Sequence, residues 1–259
     1  MLQITPVKAF EDNYIWMLRN PGAPQAVAVD PGDETPVLNW LSENSLVLSA
    51  VLITHHHYDH VGGVPELKQA FPELKVFGPA GETIKGITDT LSEGDRPDIP
   101  GLEVDFQVLE VPGHTAGHIA YLGEGALFCG DTLFAAGCGR VFDGTAEQLA
   151  DSLQRIAQLP AQTQIYCAHE YTLDNLGFAR WVEPESQAVL ERLGSVQAKR
   201  QNGEPTLPSS LEVELETNPF LRIHKTNVIA AGEKVSGKSL TSHSEVFKAI
   251  RQWKDREYD

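Results

Sequence analysis

One heptapeptide constrains the fold of this chain more than any other segment. Residues 54–60 read THHHYDH, so four histidines and one aspartate follow directly on the apolar run SAVLI at residues 49–53. A short apolar run predicts a buried strand. Imidazoles inside a core are costly unless each finds a polar partner. The segment therefore predicts a strand that ends at a cluster of metal ligands.

Spacing within the heptapeptide predicts which side chains share an ion. Residues i and i+2 at an extended strand end point the same way. His55 and His57 are therefore expected to converge on one ion, while His56 points elsewhere. Asp59 and His60 follow where the chain is expected to turn into a helix, and they can face a second ion beside the first.

Three further candidate ligands stand in comparable settings. Each lies at or just beyond the carboxyl end of a predicted strand, where the loops of a layered sheet gather at one edge and ligands commonly bind. They are His114 in PGHTAGH, Asp131 after ALFCG and His169 after QIYCA.

Nitrogen and oxygen donors without thiolate suit Zn²⁺, Fe or Mn²⁺. Zn²⁺ is the first expectation, with two divalent ions per chain bridged by the Asp131 carboxylate. Such ions lower the pKa of bound water to roughly 7 and supply hydroxide at neutral pH. The positive charge of the two ions exceeds the negative charge of their ligands, and this net positive charge stabilises a developing oxyanion. We assign one ion to His55, His57, His114 and Asp131, and the other to Asp59, His60, His169 and Asp131.

The remaining histidines and the cysteines have plainer interpretations. A histidine met alone is more often structural than a ligand, and His56 is interpreted so, while His118 either is structural or orients a ligand from behind. The three cysteines are expected to pack in the core, because their number is odd and none forms a CxxC pair. Free thiols indicate a reducing compartment such as the cytoplasm.

The distribution of strand-like and helical patterns along the chain predicts two domains, residues 1–172 and 173–259. Strand-like runs dominate the first, and amphipathic helices dominate the second. The predicted strands are 3–7, 14–20, 25–30, 50–54, 75–78, 104–111, 120–123, 126–130 and 164–168. Predicted helices are 35–44, 62–71, 145–159, 184–201 and one that begins at the Ser242–Glu245 capping-box pattern, with 202–220 as a polar connection.

Charge and hydropathy restrict the partners. The formal net charge is −16, which disfavours nucleic acid and anionic membranes, since both attract basic surfaces. The amino-terminal residues lack a basic segment followed by an apolar one, so no signal peptide is expected. The longest apolar run, residues 46–53, is too short to span a bilayer. We expect a cytoplasmic protein that binds neither nucleic acid nor membrane.

Longer motifs identify a family resemblance. THHHYDH, PGHTAGH, GDTLF and CAHEYT, in this order, resemble the metallo-β-lactamase superfamily. Within it, DTLFAAGCGR, AHEYTLDNLGFA, GEPTLPSS and NPFLR resemble the hydroxyacylglutathione hydrolases, or glyoxalase II enzymes. The resemblance implies an α+β fold, with an αββα sandwich, a binuclear metal site at one edge and a helical carboxyl-terminal domain. It also implies hydrolysis of S-D-lactoylglutathione to D-lactate and glutathione, the second step of methylglyoxal detoxification, by a protein that we expect to be monomeric.

The same resemblance implies the substrate-binding residues. Tyr171 matches the family's tyrosine near glutathione, and Arg140 stands where relatives often carry lysine. Phe142 replaces a tyrosine of some members, which removes one hydroxyl contact. Arg251 and Lys254 match a basic pair and share one helix face, being three residues apart.

These basic residues would form a local positive cluster for the carboxylates of glutathione on an acidic protein. The alternative is an ordinary solvated helix, with Asp255 and Glu257 as salt-bridge partners.

The implied mechanism assigns catalytic roles to Asp59 and Asp131. A hydroxide bridging the two ions attacks the thioester carbonyl, with Asp59 helping to orient it. The glutathione thiolate leaves without a strong general acid, because its thiol has a pKa of about 8.5. Alternatives are another enzyme on this scaffold, such as a glutathione persulfide dioxygenase with one Fe or a lactonase, and a non-catalytic module that binds glutathione or metal.

Overall fold

A computed structural model describes residues 2–258. Within that range the strands, in chain order, are β1 Gln3–Ala9, β2 Asn13–Arg19, β3 Gln25–Val29, β4 Val47–Leu52, β5 Lys75–Pro79, β6 Asp89–Leu91, β7 Gln107–Glu110, β8 Ile119–Gly123, β9 Ala126–Gly130, β10 Leu133–Phe134, β11 Gly137–Cys138, β12 Gln164–Cys167 and β13 Ser209–Ser210. The helices are α1 Glu34–Asn44, α2 Tyr58–Val61, α3 Val64–Ala70, α4 Ala146–Ile156, α5 Thr172–Val182, α6 Gln187–Gln201, α7 Leu211–Thr217, α8 Thr226–Ser236 and α9 His243–Glu257.

The chain forms two compact units. The first comprises Met1–Glu110 with Ala116–Gly130, and the second comprises Val111–Thr115 with Asp131–Asp259. These units do not coincide with the predicted division at residue 172. That division rests on the distribution of strand-like and helical patterns in the sequence, and it stays a prediction.

The first unit is built on a six-stranded sheet in the order β1-β2-β3-β4-β5-β6. Strands β1 to β3 are antiparallel, and β3 to β6 are parallel. Its core holds Met17 of β2 and Val51 of β4, covered by Val37 of α1 and Leu67 of α3. Strands β7, β8 and β9 pair antiparallel beside one another. Because β4 is buried and ends at Leu52, the histidine motif begins directly beyond its carboxyl end.

The second unit is mainly helical. Strands β10 and β11 form a small antiparallel hairpin, and β12 pairs with β13. One apolar cluster joins Ala136 of the hairpin turn to Leu176 of α5 and Val189 of α6. The sequence predicts an apolar stripe of Val189, Leu190, Leu193 and Val196 on α6. Val189 and Val196 are buried and Leu193 is partly buried, but the prediction is wrong at Leu190, which is 39% exposed.

Residues 202–220 differ from the prediction of an irregular connection. They contain β13 and helix α7, which Ser210 caps by accepting the Val213 N–H. The glutamate-rich run LEVELET is typical of a solvated segment, yet Glu214 is fully buried. An ion pair with Arg192 offsets that burial, and a contact between distant helices of this kind leaves no periodic signal in the sequence.

The sequence predicts helix starts best where a side-chain cap is present. Thr145 and Gln148 form a capping box at α4, and Ser242 and Glu245 form one at α9. Helix α6 begins later than predicted, because Ser186 rather than Pro184 provides its start. No described helix combines the length and hydropathy needed to cross a bilayer.

Removing the α9 cap is expected to destabilise the second unit. Ser242→Ala deletes the oxygen that accepts the Glu245 N–H and should lower the free energy of unfolding by about 1 kcal/mol, measured by denaturant titration. Ser195→Ala, at an exposed position within α6, is the control and should be neutral or slightly stabilising. Equal losses from both substitutions would contradict the cap.

The same cap makes a contribution that depends on pH. Hydrogen bonds from Thr241, and then from the Ser242 N–H, lower the pKa of the Glu245 carboxyl. Its stabilisation is therefore present above the ordinary pKa of a glutamate and is lost as pH falls through the lowered value.

Candidate metal centre

His55 and His57 converge as their spacing predicts. The Nε2 atom of His55 lies 3.1 Å from Nδ1 of His57, and His55 is fully buried. His56 points elsewhere, with Nδ1 2.9 Å from the Glu82 carboxylate. The backbone before them is held extended, since Tyr121 Oη donates to the Ile53 carbonyl at 2.8 Å.

Asp59 and His60 lie on the short helix α2 rather than in a turn. Their facing atoms, Asp59 Oδ2 and His60 Nε2, are 3.4 Å apart. The Asn13 side chain donates to Asp59 Oδ2 at 3.0 Å. Behind the imidazole, Asp30 Oδ2 lies 3.1 Å from His60 Nδ1. That carboxylate also accepts from both the N–H and the hydroxyl of Thr54, each at 2.8 Å.

Asp30 and Asn13 were not found by sequence reasoning. Asp30 has a signal that can be recognised afterwards: it follows the buried strand AVAV and precedes Pro-Gly, at a left-handed φ of 51°. An aspartate tolerates that conformation better than most residues do. His118, left open between two interpretations, is buried with its ring stacked on His55, the centroids 4.6 Å apart.

The second unit contributes a matching arrangement around Asp131. Its Oδ2 atom lies 3.6 Å from His114 Nε2 and 3.4 Å from His169 Nε2. His114 Nδ1 donates to the Arg140 carbonyl at 2.8 Å, which fixes the ring so that Nε2 faces the carboxylate. One carboxylate oxygen between two imidazoles is the placement that a bridging ligand needs.

Two glycines allow this close approach. A Cβ on Gly113, in the loop that carries His114, would stand 2.4 Å from the backbone of Leu149. A Cβ on Gly139 would stand 2.0 Å from the Asp131 carbonyl oxygen. A side chain at Gly139 would push against the Asp131 backbone, and one at Gly113 would push the loop that carries His114 away from Leu149.

Tyr171 and Phe134 surround His169. The Tyr171 ring stacks on the imidazole, with centroids 4.7 Å apart and an interplanar angle of 8°. Phe134 meets both rings edge-on. Arg140 is exposed. Phe142, 62% exposed, lies edge-on to His114 with centroids 5.2 Å apart.

The basic pair of α9 is buried, so its helix face is not solvated, although Asp255 is a salt-bridge partner that the solvated alternative expected. Arg251 is 3% exposed and Lys254 is 6% exposed. Arg251 donates to the Cys138 carbonyl at 3.0 Å and pairs with Asp255 at 2.9 Å. Glu257 instead accepts from the Trp253 indole.

Lys254 packs among aromatic rings. Its ammonium lies 5.6 Å from the ring centroid of Tyr258 and 6.0 Å from that of Phe178. These are cation–π distances, at which ring faces partly compensate a desolvated charge.

The cysteines are core residues. All three are buried and none forms a disulfide, as predicted. Burial raises the pKa of the Cys138 thiol to about 11 and that of the Cys167 thiol to about 12. At about pH 8 both remain protonated and weakly nucleophilic.

An aromatic disulfide reagent should therefore react rapidly with none of the three cysteines in the native protein and with all three after denaturation. Fast stoichiometric labelling of native protein would contradict this burial.

The donor sets of both units fit a divalent ion. Each unit places imidazole nitrogens and carboxylate oxygens close together, without thiolate, which suits Zn²⁺, Fe or Mn²⁺. Divalent metal binding is the chemistry that these clusters indicate.

Comparison with known families is consistent with this site. Residues 21–169 match the family model described as the metallo-beta-lactamase superfamily. The His and Asp residues at the strand ends lie in the motifs from which that class was predicted. Residues 170–257 match the model described as the hydroxyacylglutathione hydrolase C-terminus. Fold and site thus define a metallo-β-lactamase superfamily protein.

Curated relatives narrow the class. The hydroxyacylglutathione hydrolase of Nitrosomonas europaea is 51% identical over 255 residues, which cover 98% of this chain and 96% of that protein. The protein of the same name from Pseudomonas fluorescens is 51% identical over 257 residues, covering 99% of this chain and 100% of that protein. The chain belongs to the hydroxyacylglutathione hydrolase family.

Solved structures support the fold. The crystal structure of ETHE1 from Myxococcus xanthus has a TM-score of 0.67 at 23% identity and covers 100% of this chain and 93% of that chain. That of the BLEG-1 B3 metallo-beta-lactamase has a TM-score of 0.61 at 24% identity, covering 85% and 99%. The predicted fold class, an α+β metallo-β-lactamase sandwich followed by a helical region, is confirmed.

Proposed function

We infer that this protein is an enzyme that hydrolyses S-D-lactoylglutathione to D-lactate and glutathione. The observation that carries the inference is identity of about one half with hydroxyacylglutathione hydrolases over almost the full length of both chains. A match this long includes the carboxyl-terminal region, residues 170–257, which matches the model described as the hydroxyacylglutathione hydrolase C-terminus.

We propose that two divalent ions bind to the ligands predicted from the sequence. Zn²⁺ is the first candidate, with Fe and Mn²⁺ as alternatives that the same donors accept. When bound, the ions supply a Lewis acid and a water acidic enough to yield hydroxide at neutral pH. The proposed ligands are His55, His57, Asp59, His60, His114, Asp131 and His169.

The chain's own groups orient this chemistry. Asp131 presents one oxygen to two imidazoles, which supports a bridging role. The Asn13 side chain holds Asp59, which supports the proposed role of this carboxylate in orienting the attacking hydroxide. Asp30 behind His60 keeps that ring in one orientation, because its carboxylate is itself fixed by Thr54.

Glutathione recognition is assigned to Arg140, Tyr171, Arg251 and Lys254. All belong to the second unit. Arg251 lies near the segment that carries Arg140, because its guanidinium donates to the Cys138 carbonyl. Positive charge here offsets the net charge of −16 where an anionic peptide must bind. Phe142 offers an aromatic face but no hydroxyl.

Departure of the product needs little help from the protein. The glutathione thiolate is the base of a thiol with a pKa of about 8.5, so it leaves without prior protonation. This is consistent with the proposed residues, among which none is assigned as a general acid.

The test is to compare kcat/KM for S-D-lactoylglutathione with that for the same acyl group on a thiol lacking the peptide, using metal-loaded protein. A high value with strong preference for the glutathione ester is the expected result. Slow hydrolysis without preference would contradict the substrate. Oxygen uptake with glutathione persulfide would favour a dioxygenase on this scaffold instead.

Three further parts of the proposal concern organisation. We propose that residues 173–259 act mainly in substrate binding and residues 1–172 mainly in metal binding. We also propose a monomer located in the cytoplasm, where glutathione is abundant and buried free thiols persist. Neither nucleic acid nor membrane is proposed as a partner of so acidic a chain.

A further inference from the structure

The β10–β11 hairpin is buried from end to end. Its turn residues Ala135 and Ala136 are at most 1% exposed. Ala136 has a φ of 57°, a left-handed conformation that is unfavourable for a residue with a Cβ. Such a conformation persists only where the surroundings determine it.

Two side chains of α7 and its carboxyl end supply the polar partners that this buried turn requires. Glu214 accepts the Ala136 N–H at 2.7 Å. Asn218 donates to the carbonyls of Phe134 and Gly137 at 3.1 and 2.9 Å. Glu214 and Asn218 are themselves fully buried and joined at 3.2 Å. Buried backbone groups must be satisfied, so this pair decides whether the turn can adopt its conformation.

The Glu214 charge is compensated from the opposite side. Its other oxygen accepts from Arg192 of α6 and from the Ser209 hydroxyl. Replacing a buried ion pair with apolar packing is often neutral or stabilising, and in some proteins such a pair instead specifies one conformation. Here the conformation specified is that of the hairpin turn, because the Ala136 N–H is one of the donors that bind this carboxylate.

The hairpin connects residues of the proposed site. It starts two residues after Asp131 and ends two residues before Arg140. The Arg140 carbonyl accepts from His114 Nδ1, and Phe134 within the hairpin packs against His169. A shift of the turn would therefore move the carboxylate and both imidazoles beside it.

We propose that Glu214 and Asn218 are positioning residues that set the geometry of Asp131, His114 and Arg140 through this hairpin. The inference rests on the proposed function in that those residues are taken as metal ligands and substrate contacts. Glu214 contacts neither metal nor substrate in this role, and it acts through the Ala136 N–H.

The experiment compares two matched substitutions. Glu214→Gln leaves one acceptor oxygen and turns an amide NH₂ toward donors. Glu183→Gln does the same to another buried carboxylate of this unit, which Arg222 and Asn227 bind and which does not contact the hairpin. Both should lower the melting temperature. Only Glu214→Gln should weaken Co²⁺ binding, by about tenfold or more, and change the visible absorption of the Co²⁺-loaded protein.

Activity provides a second measurement. With Co²⁺ saturating, Glu214→Gln should lower kcat more than it raises KM, while Glu183→Gln should keep both values. Equal losses of melting temperature with unchanged Co²⁺ affinity and spectrum for both variants would overturn the proposal and leave Glu214 purely structural.

Failure of the proposed function can be told apart from failure of this inference. If the wild-type protein binds Co²⁺ but does not hydrolyse the thioester, the function is wrong, and the Co²⁺ spectra still decide the positioning role. A wild-type protein that binds no Co²⁺ contradicts both. Should Glu214→Gln not fold, Asn218→Ala removes the other contact to the hairpin while keeping the Glu214–Arg192 pair, and an unchanged Co²⁺ spectrum in that variant would overturn the proposal.

Discussion

Asp131→Ala is expected to lower kcat/KM for the glutathione thioester by about 1000-fold or more, a loss comparable to that of an electrostatic group acting at the reacting centre. The reason is that one oxygen of this carboxylate lies beside both His114 and His169. With two ions bound as proposed, removing this carboxylate would take away a negative charge that offsets theirs, so bound metal should fall from about two ions per chain to one or fewer. Elemental analysis together with steady-state kinetics checks both results.

Asp151→Ala is the matched control, since this aspartate of α4 is exposed and is not one of the proposed ligands. It should keep wild-type metal content and rate. Full activity of the Asp131 variant with one ion per chain would show that no bridging carboxylate is needed.

Arg251→Ala should lower kcat/KM for S-D-lactoylglutathione roughly 10- to 100-fold, mostly through KM. A hydrogen bond to a charged group contributes about 1.5–3 kcal/mol, and each 1.4 kcal/mol is a factor of about ten. Because Arg251 also holds the Cys138 carbonyl, part of the loss will come from the hairpin. The same acyl group on a thiol without the peptide separates the two effects, since it cannot use a carboxylate contact.

Lys248→Ala, exposed on the same helix, controls for loss of positive charge and should change KM little, because exposed charges are screened. If Arg251→Ala reduced the rates with both thioesters equally, its role would be structural support of the hairpin rather than glutathione binding.

Local patterns were sufficient for much of this molecule. The convergence of His55 and His57 follows from the two-residue period of extended chain, and the nitrogens are 3.1 Å apart. Helices α4 and α9 begin where a capping box is written in the sequence. Such features depend on residues within a few positions of each other, so they can be read without knowing the rest of the fold.

The predictions of solvent exposure were wrong where a contact with a residue distant in the sequence determines whether a side chain is buried. The sequence around Glu214 indicates a solvated charge, but its acceptor role toward Ala136 joins residues 78 positions apart. The pattern around Arg251 is compatible with an ordinary solvated helix face, yet its guanidinium is buried against Cys138, 113 positions away. Leu190 is predicted in the core and is exposed, because α6 buries Val189 and Val196 instead.

The sequence by itself therefore determined the candidate ligands, the fold class and the family, because metal-binding residue types at strand ends form short patterns that are rare in chains without a metal site. Tertiary structure alone decided which groups hold those ligands in place: Asp30 behind His60, the Arg140 carbonyl behind His114, and Glu214 with Asn218 around the hairpin. The physical reason is that a buried polar group must find a partner wherever packing offers one, and packing brings together residues that no local period relates.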